Sequence, residues 1–221
     1  MKREIIITGD GSKTIHIPEW NEQYHSKHGA IQEAYHVFIK NGLSLFSNSE
    51  ITILEIGFGT GLNALITNIE SKKTNLKVNY TGVERYPVSL EELQSLNYLE
   101  ELNATKEKLF FNKMHTSEWG VTVQISDDFS LLKEQKDFSE IKNTNAFNLI
   151  YFDAFGARVQ PELWTEEIFK IMYDSLKEDG YLVTYSAKGS VRRAMQSVGF
   201  VVERLPGPPG KREMLRAQKK L

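Results

Sequence analysis

Three glycines at alternate positions follow an apolar run in the first third of the chain. Residues 54–62 read LEIGFGTGL, so the glycines are Gly57, Gly59 and Gly61. Glycine lets the backbone turn sharply and lie against a ligand, because a side chain there would occupy the ligand's volume. The G-x-G-x-G spacing differs from the G-x-G-x-x-G spacing that places a pyrophosphate on a helix N-terminus. The turn therefore predicts a nucleoside-type cofactor other than NAD or FAD.

Acidic residues occupy the positions where such a cofactor would need them. Glu55 precedes the glycines, where a carboxylate would repel a pyrophosphate but attract a cationic amino-acid moiety, as in S-adenosylmethionine. Glu84 ends the next apolar run, about 20 residues after the glycines, where a carboxylate holds a ribose diol. We predict that Asp127, after the third apolar run, binds the adenine amino group. The alternative for Asp127 and Asp128 is capping of the next helix.

Asp153 ends a later apolar run and begins the segment DAFG at 153–156. Open α/β sheets bind ligands in the crevice outside the carboxyl ends of their strands, so a carboxylate here reaches the ligand. Methyl transfer to nitrogen needs a neutral, aligned amine, whereas an aliphatic amine with a pKa of ~10.4 is mostly protonated in water. We predict that Asp153 orients the amine and helps its proton leave to water. The alternative is a strand-end acid that caps a helix or pairs with Arg158.

The elements that must position these residues alternate from residue 51 onward at the spacing of βαβ units. Apolar runs predict strands at 51–56, 78–83, 121–125, 147–152, 181–185 and 200–204, with helices at 62–69, 90–102, 165–176 and 190–198. The PGPPG segment at 206–210 is followed by Met214 and Leu215, which predicts a final antiparallel strand. We expect an α/β fold of the Rossmann-like class I methyltransferase type, with a mostly parallel seven-stranded sheet. Residues 136–145 are predicted to be an exposed connection.

The N-terminal region has its own pattern. Strand-like residues 5–8 and 14–17 flank turn residues 9–12, which predicts a β-hairpin, and residues 32–39 predict a helix that ends at Asn41 and Gly42. We expect one domain, 1–221, in which residues 1–45 form a lid of hairpin and helix and residues 51–221 form the catalytic core. Tyr24 and Glu33, before and within this helix, are predicted to contact the cofactor. The alternatives are a packed aromatic for Tyr24 and an ion pair for Glu33.

Composition excludes several classes of protein. The chain has 221 residues, 40% of them hydrophobic, and a formal net charge of −2, so charge alone indicates neither a nucleic acid nor a membrane partner. The chain has no cysteine, which excludes disulfides, thiolate metal sites and a cysteine nucleophile. No segment approaches the ~20 apolar residues of a membrane span. The histidines lack metal-ligand spacing, so we expect no metal. The absence of cysteine fits a reducing compartment, so we expect a cytoplasmic protein.

Together these motifs resemble the methyltransferase family of the bifunctional bacterial tRNA-modifying enzyme MnmC and its standalone relatives. The resemblance runs nearly end to end. Its marks are DGS at 10–12, YHS at 24–26, GA at 29–30, Glu33, HVF at 36–38, EIGFGTGLN at 55–63, DAF at 153–155, PELW at 161–164, VRR at 191–193 and KREM at 211–214.

The resemblance implies N-methylation of 5-aminomethyluridine, often 2-thiolated, at the wobble position of tRNA. S-adenosylmethionine would be the methyl donor, and separate enzymes would supply the aminomethyl group. A second glycine fingerprint is missing, so the FAD-dependent oxidase of the bifunctional enzyme is not expected. Relatives usually have a proline and a lysine in the loop that reads GARVQ at 156–160 here, and Arg158 is a candidate substitute for that lysine.

Basic residues concentrate toward the carboxyl end. Phosphates need such a patch, and we predict contacts to tRNA from Arg158, Arg192, Arg193, Lys211 and Arg212. A solvated charged face is the alternative. Two rival functions remain: an aminopropyltransferase, whose paired aspartates the segment 153–156 does not supply, and a tRNA-binding module without catalysis, against which the intact glycine turn argues.

Overall fold

The computed structural model describes residues 2–220. Its first element is a small antiparallel sheet of three strands, β1 (Glu4–Ile7), β2 (Lys13–Ile17) and β3 (Glu22–Gln23). The turn between β1 and β2 contains Gly11 at φ +87°, a left-handed conformation that favours glycine. The predicted N-terminal hairpin is therefore confirmed, with each strand starting one residue earlier than expected.

A short helical segment connects this sheet to the rest of the chain. Helix α1 (Ala30–Ala34) continues directly into a six-residue π-helix (Tyr35–Lys40), so the predicted helix at 32–39 is present but is wider than an α-helix in its second half. Its buried side chains, including Val37 and Phe38, pack against the main sheet. Short 3₁₀ helices lie before and after it, at Pro18–Trp20 and Leu43–Leu45.

The main sheet has eight strands and is mostly parallel. In spatial order it runs β10 (Val201–Pro206), β11 (Glu213–Gln218), β9 (Leu176–Thr184), β8 (Phe147–Phe152), β4 (Glu50–Ile56), β5 (Lys77–Val83), β7 (Phe129–Glu134) and β6 (Thr122–Ser126). The pairs among β4, β5, β7, β8 and β9 are parallel, and β11 is antiparallel to both of its neighbours. The predicted α/β fold with a late antiparallel strand is confirmed, with one strand more than expected.

Helices cover both faces of the sheet. They are α2 (Leu62–Ser71), α3 (Leu90–Gln94), α4 (Tyr98–Glu101), α5 (Lys108–Thr116), α6 (Glu166–Ser175) and α7 (Gly189–Ser197), with 3₁₀ turns at Lys72–Thr74, Thr105–Glu107, Phe138–Glu140 and Pro161–Trp164. Within β4, Ile51 and Ile53 belong to the core under α2 and α5, whereas Leu54 and Ile56 belong to the core under α6 and α7. This division follows from the period of two along a strand. Within residues 2–220, no helix combines the length and apolar character needed to cross a membrane.

The largest difference from the sequence-based prediction concerns the third strand. The run predicted at 121–125 is the antiparallel edge strand β6, and the strand parallel to β5 is β7, which the pattern did not predict. Residues 127 and 128 form the turn between them. The carbonyl of Asp128 accepts a hydrogen bond from Val78 near the start of β5, so this turn lies at the amino-terminal edge of the sheet.

The connection after β7 also differs from the expectation of an exposed loop. A capping box at Asp137 starts a 3₁₀ helix, and the side chains of Phe138 and Ile141 are buried in the core. This connection leaves the sheet at its carboxyl edge, because β7 runs parallel to β4 and β5. It therefore lies where open α/β sheets bind ligands.

Candidate active site

A cavity of about 940 Å³ opens at the carboxyl ends of β4, β5, β7 and β8. Its wall combines the glycine turn, the ends of these strands and the segment around Tyr24 from the N-terminal region. Cavities of ~300–1,000 Å³ hold small molecules and cofactors. The predicted crevice is therefore present, and the N-terminal segment closes one side of it.

Gly57 and Gly59 supply bare backbone to this cavity, whereas Gly61, the third predicted cofactor contact, is not among the cavity-lining residues and faces Met114 and His115. Gly57, Gly59 and Gly61 all have positive φ, at +87°, +49° and +70°. A Cβ on Gly57 would lie 2.8 Å from the carbonyl oxygen of Asp153, and one on Gly59 would lie 3.1 Å from the ring of Tyr24. Both the conformation and the close contacts explain why side chains are missing here.

Glu84 lies beside the glycine turn, as the sequence predicted. Its Oε2 accepts a hydrogen bond from the backbone N–H of Gly59 at 3.1 Å, and its Oε1 accepts one from Tyr86 at 2.8 Å. An ionised carboxylate has about four acceptor positions, so each oxygen keeps one for a hydroxyl group. Glu84 is thus a fixed carboxylate at the cavity wall with acceptor positions left over, and its contact to a ribose diol stays a prediction.

The prediction that Asp127 binds the adenine is wrong. Asp127 is exposed in the β6–β7 turn at the amino-terminal edge of the sheet, whereas the cavity opens at the opposite edge. The error follows from taking β6 for the third parallel strand. Residues Asp137, Phe138 and Ser139, which follow β7, line the cavity next to Arg85 instead. Because the sequence pattern did not predict β7, it did not single out Asp137 or the residues that follow it.

Glu55 lies at the floor of the cavity and is 1% exposed. Its Oε1 accepts a hydrogen bond from Asn63 at 2.8 Å, and its Oε2 accepts one from the Tyr80 hydroxyl at 2.9 Å. Burial raises the pKa of Glu55 well above its usual value, and the nearby Asp153 charge raises that pKa further. A cationic ligand would favour the ionised form and so fits this position.

Asp153 directly follows β8 and lines the same cavity. Its Oδ2 accepts a hydrogen bond from Asn63 Nδ2 at 2.9 Å. Burial raises the pKa of Asp153 well above its usual value, with a further contribution from the charge of Glu33, while Lys211 acts in the opposite direction. A carboxylate with a raised pKa in a cleft is suited to proton transfer near neutral pH.

Aromatic side chains form the outer wall. The rings of Trp20 and Tyr24 both meet Phe155 edge to face, with centroids 5.5 and 5.0 Å apart, and all three line the cavity. The Arg3 guanidinium lies 5.7 Å from the centroid of the Tyr24 ring. The structure thus brings Tyr24 to the cavity beside Gly59, while burial raises its pKa and keeps the hydroxyl neutral.

Glu33 and Lys211 lie behind this wall rather than in it. Glu33 is buried, and its carboxylate accepts hydrogen bonds from Ser26 N–H at 2.8 Å and from Lys211 Nζ at 2.5 Å. The Lys211 ammonium also lies 3.8 Å from the centroid of the Tyr185 ring. The predicted cofactor contact of Glu33 is therefore corrected, because Glu33 is not among the cavity-lining residues. Lys211 is held by Glu33 and Tyr185 but is 34% exposed, so its contact to tRNA stays a prediction.

The remaining predicted contacts to tRNA divide into two groups. Arg158 donates to the carbonyls of Trp20 and Asn21 and pairs with Glu22 at 3.0 Å, so it fastens the N-terminal segment and does not project freely. Arg192, Arg193 and Arg212 form no ion pair within residues 2–220. Arg193 and Arg212 are exposed, whereas Arg192 is half-buried.

The residues at the cavity fit S-adenosylmethionine. The glycine backbone leaves room for a close ligand, Glu84 has free acceptor positions, and Glu55 is a buried acid that a cation would stabilise. Asn63 Oδ1 is buried without a hydrogen-bond partner in the described part of the chain. The His, Asp and Glu side chains of residues 2–220 form no group of three that could hold a metal ion.

Known proteins resemble the chain over most of its length. A bifunctional tRNA 5-methylaminomethyl-2-thiouridine biosynthesis protein MnmC from Idiomarina loihiensis is 29% identical over 217 residues, covering 89% of this chain and 35% of the relative. The MnmC of Cupriavidus metallidurans is 27% identical and covers 97% of this chain and 34% of the relative. The chain thus spans about a third of the length of these relatives.

Solved structures agree with the sequence comparisons. MnmC2 from Aquifex aeolicus superposes with a TM-score of 0.78 at 27% identity, covering 99% of this chain and 70% of that one. Spermidine synthase from Thermotoga maritima shares the fold, with a TM-score of 0.57 at 14% identity. The family model described as S-adenosyl-L-methionine-dependent methyltransferase matches residues 89–220, more than half of the chain. The resemblance stated from the sequence is confirmed, and the chain belongs to this family of S-adenosyl-L-methionine-dependent methyltransferases.

Proposed function

We propose that the chain methylates the primary amine of 5-aminomethyluridine, with or without 2-thiolation, at the wobble position of tRNA, giving the 5-methylaminomethyl form. The names of the relatives supply the substrate class. The structural observation that carries the proposal is Asp153, a half-buried acid that lines the cavity between the glycine turn and the aromatic wall.

The charge of the cavity supports an amine as the acceptor. The basic side chains in its wall are Arg3 and Arg85, whereas the acidic ones are Glu55, Glu84, Glu92, Asp137, Asp153 and Glu162. An acidic, partly buried cavity attracts cations and disfavours anions. It therefore favours an acceptor with a free aminomethyl group over one that carries an additional carboxylate.

Bound S-adenosylmethionine supplies a methyl group already activated by its sulfonium. The glycine backbone and Glu84 fix the cofactor, and Glu55 offers a negative charge to its amino-acid moiety. Asp153 accepts a hydrogen bond from the acceptor amine, orients its lone pair and receives its proton. Trp20, Tyr24 and Phe155 offer ring faces and edges for the uracil base and exclude water from the cleft.

The surface beside the cavity suits an RNA backbone. Exposed Arg193 and Arg212 lie on α7 and on the turn between β10 and β11, and Lys188 immediately precedes α7. We propose that this surface binds tRNA phosphates and that binding weakens as salt concentration rises. Separate enzymes would supply the aminomethyl uridine in the cytoplasm, and residues 1–45 would act as the lid of a single catalytic domain.

The proposal is tested by incubating the purified chain with isotopically labelled S-adenosylmethionine and tRNA carrying 5-aminomethyluridine, followed by nucleoside mass analysis. One added methyl on that nucleoside is expected, with none on tRNA that carries unmodified uridine. Transfer of an aminopropyl group from the decarboxylated cofactor would identify the rival activity. Cofactor-independent tRNA binding without methylation would instead identify a binding module.

A further inference from the structure

Asn63 is a buried amide to which the sequence analysis gave no role. It is the second residue of α2, directly after the glycine turn, and 2% of its surface is exposed. Its Nδ2 donates to Glu55 Oε1 at 2.8 Å and to Asp153 Oδ2 at 2.9 Å. One amide nitrogen carries two hydrogens, so both are used, each on a different carboxylate. Asn63 therefore joins the acid at the floor of the cavity to the acid beside the aromatic wall.

The orientation of this amide is fixed by the two acids. Asn63 Oδ1 is buried and has no hydrogen-bond partner in the described part of the chain. Exchanging the amide oxygen and nitrogen would place Oδ1 against two carboxylates and leave the NH₂ group unpaired instead. An unpaired buried acceptor is unfavourable, so the two donated hydrogen bonds must outweigh it.

The same contact determines which part of Asp153 remains available. Asn63 engages Oδ2, and no donor within residues 2–220 engages Oδ1, although Asp153 lines the cavity. Without the amide between them, the buried carboxylate of Glu55 and the half-buried carboxylate of Asp153 would be close neighbours with no donor between them. Such a pair tends to retain a proton, because like charges at short range disfavour the ionised form.

We propose that Asn63 is a positioning residue for methyl transfer: its two N–H groups hold Asp153 against Glu55, so that one oxygen of Asp153 is fixed and the other receives the acceptor amine. This inference rests on the proposed function, because it takes an amine as the acceptor. Asn63 acts on the substrate through Asp153, and its loss is expected to impair the proton-accepting form of that acid.

We call the two hydrogen bonds from Asn63 to Glu55 and Asp153 the Asn63 clamp, and two variants remove it. Asn63→Ala removes both donors, and Asn63→Leu removes them while keeping most of the volume. A matched control is Asn68→Ala, because Asn68 is also buried on α2 and donates to a carboxylate, Glu107, at 2.9 Å, but does not line the cavity. All variants are first compared by thermal unfolding and by calorimetric titration with S-adenosylhomocysteine.

A spectroscopic titration tests the clamp without any acceptor. The carboxyl ¹³C resonance of Asp153, assigned with Asp153→Asn, reports its protonation directly. Both Asn63 variants are expected to raise the titration midpoint by about one pH unit or more, because a hydrogen bond to the ionised form is lost. Asn68→Ala is expected to lower the melting temperature and leave this midpoint in place. An unchanged midpoint in the Asn63 variants would overturn the proposal.

Turnover provides the second measurement. At pH ~7 the Asn63 variants are expected to lose about tenfold to a hundredfold in kcat on tRNA carrying 5-aminomethyluridine, with KM changed by less than about threefold. The acidic limb of their pH profiles should move upward, and Asn68→Ala should keep the wild-type profile. Equal kcat in the Asn63 variants would contradict the clamp. A wild-type chain that does not methylate this nucleoside would instead overturn the proposed function, and the carboxyl titration would still decide whether Asn63 sets the state of Asp153.

Discussion

Lys211 Nζ lies 2.5 Å from Glu33 Oε1, although the two residues are 178 positions apart in the chain. The ammonium also lies over the Tyr185 ring, and the Tyr185 hydroxyl donates to the carbonyl of Ala154 at 2.8 Å. These contacts link α1 and the turn after β10 to the residue next to Asp153. The ion pair thus ties the N-terminal segment to the end of the sheet directly behind the candidate active site.

Replacing Lys211 with Met should destabilise the chain. The Glu33 side chain is 10% exposed, so removal of Lys211 leaves a buried charge whose remaining hydrogen-bond donor is the backbone N–H of Ser26. The expected loss is about 1–3 kcal/mol, which corresponds to roughly 2–12 °C in melting temperature for a domain of this size. Lys170→Met is the matched control, because the exposed Lys170–Asp174 pair should contribute less than about 1 kcal/mol. Equal melting temperatures for the two variants would show that the Lys211–Glu33 pair stabilises the fold no more than an exposed ion pair does.

Glu84→Gln should weaken cofactor binding. The amide keeps an acceptor oxygen but loses the charge and turns one acceptor into a donor, which conflicts with the backbone N–H groups of Gly59 and Tyr86. Loss of hydrogen bonds to a charged group costs about 1.5–3 kcal/mol, or roughly 10- to 150-fold in affinity for S-adenosylhomocysteine by calorimetry. Glu91→Gln, an exposed acid outside the cavity, should bind like the wild type. Unchanged affinity in Glu84→Gln would rule out a cofactor contact.

Gly59→Ala should lower both the stability of the fold and the affinity for the cofactor, and a comparison with Gly120→Ala separates the two effects. The φ of +49° makes any side chain unfavourable by about 1–2 kcal/mol, and the new Cβ would also lie 3.1 Å from the Tyr24 ring. Gly120→Ala introduces similar strain at φ +78° with nothing within 4 Å of its Cβ. Both variants should melt at lower temperature, and only Gly59→Ala should lose affinity for S-adenosylhomocysteine. Equal affinity losses would mean that strain alone accounts for the effect.

The strands that were predicted correctly share a strong apolar pattern. β4, β5 and β8 are central strands: β4 and β8 are mostly apolar, whereas β5 alternates apolar and polar residues, and both are patterns typical of strands. β7 was missed because it reads FSLLKE and places Lys133, which is 1% exposed, in a core position. That lysine is accommodated by tertiary contacts, a hydrogen bond to the carbonyl of His115 and the Trp119 ring. The hydrophobic pattern of a short segment carries no information about such tertiary contacts, so it could not predict that this lysine is buried.

The sequence predicted those site residues that directly follow a parallel strand, because the end of the strand fixes where they lie. Gly57, Glu84 and Asp153 reach the cavity because they follow parallel strands whose direction the sequence indicated. Asp127 was misplaced because its strand runs the other way. The partners of Lys211 and Arg158 could not be predicted, since each joins segments more than a hundred residues apart.

Asp153→Asn should abolish most turnover and at the same time stabilise the free protein. Burial raises the pKa of Asp153, so the folded chain binds a proton at this site more tightly than the unfolded chain does. Stability from the neutral acid is therefore fully present below the usual aspartate pKa and is lost as pH rises through the raised value. Asparagine is neutral at every pH, and its side-chain oxygen can still accept the hydrogen bond from Asn63. The variant should match the wild type in melting temperature near pH 4 and exceed it at about pH 7 to 8.

The same substitution should lower kcat by about a hundredfold or more while S-adenosylhomocysteine affinity changes little, because the lost group acts on the acceptor amine. Asp127→Asn, exposed at the opposite edge of the sheet, is the control and should change neither stability nor turnover. A gain in stability without a loss of turnover would show that Asp153 is a strained acid with no part in the reaction. A loss of turnover accompanied by an equal loss of cofactor affinity would place Asp153 at the cofactor instead of the acceptor, since the two ligands would then depend on the same carboxylate.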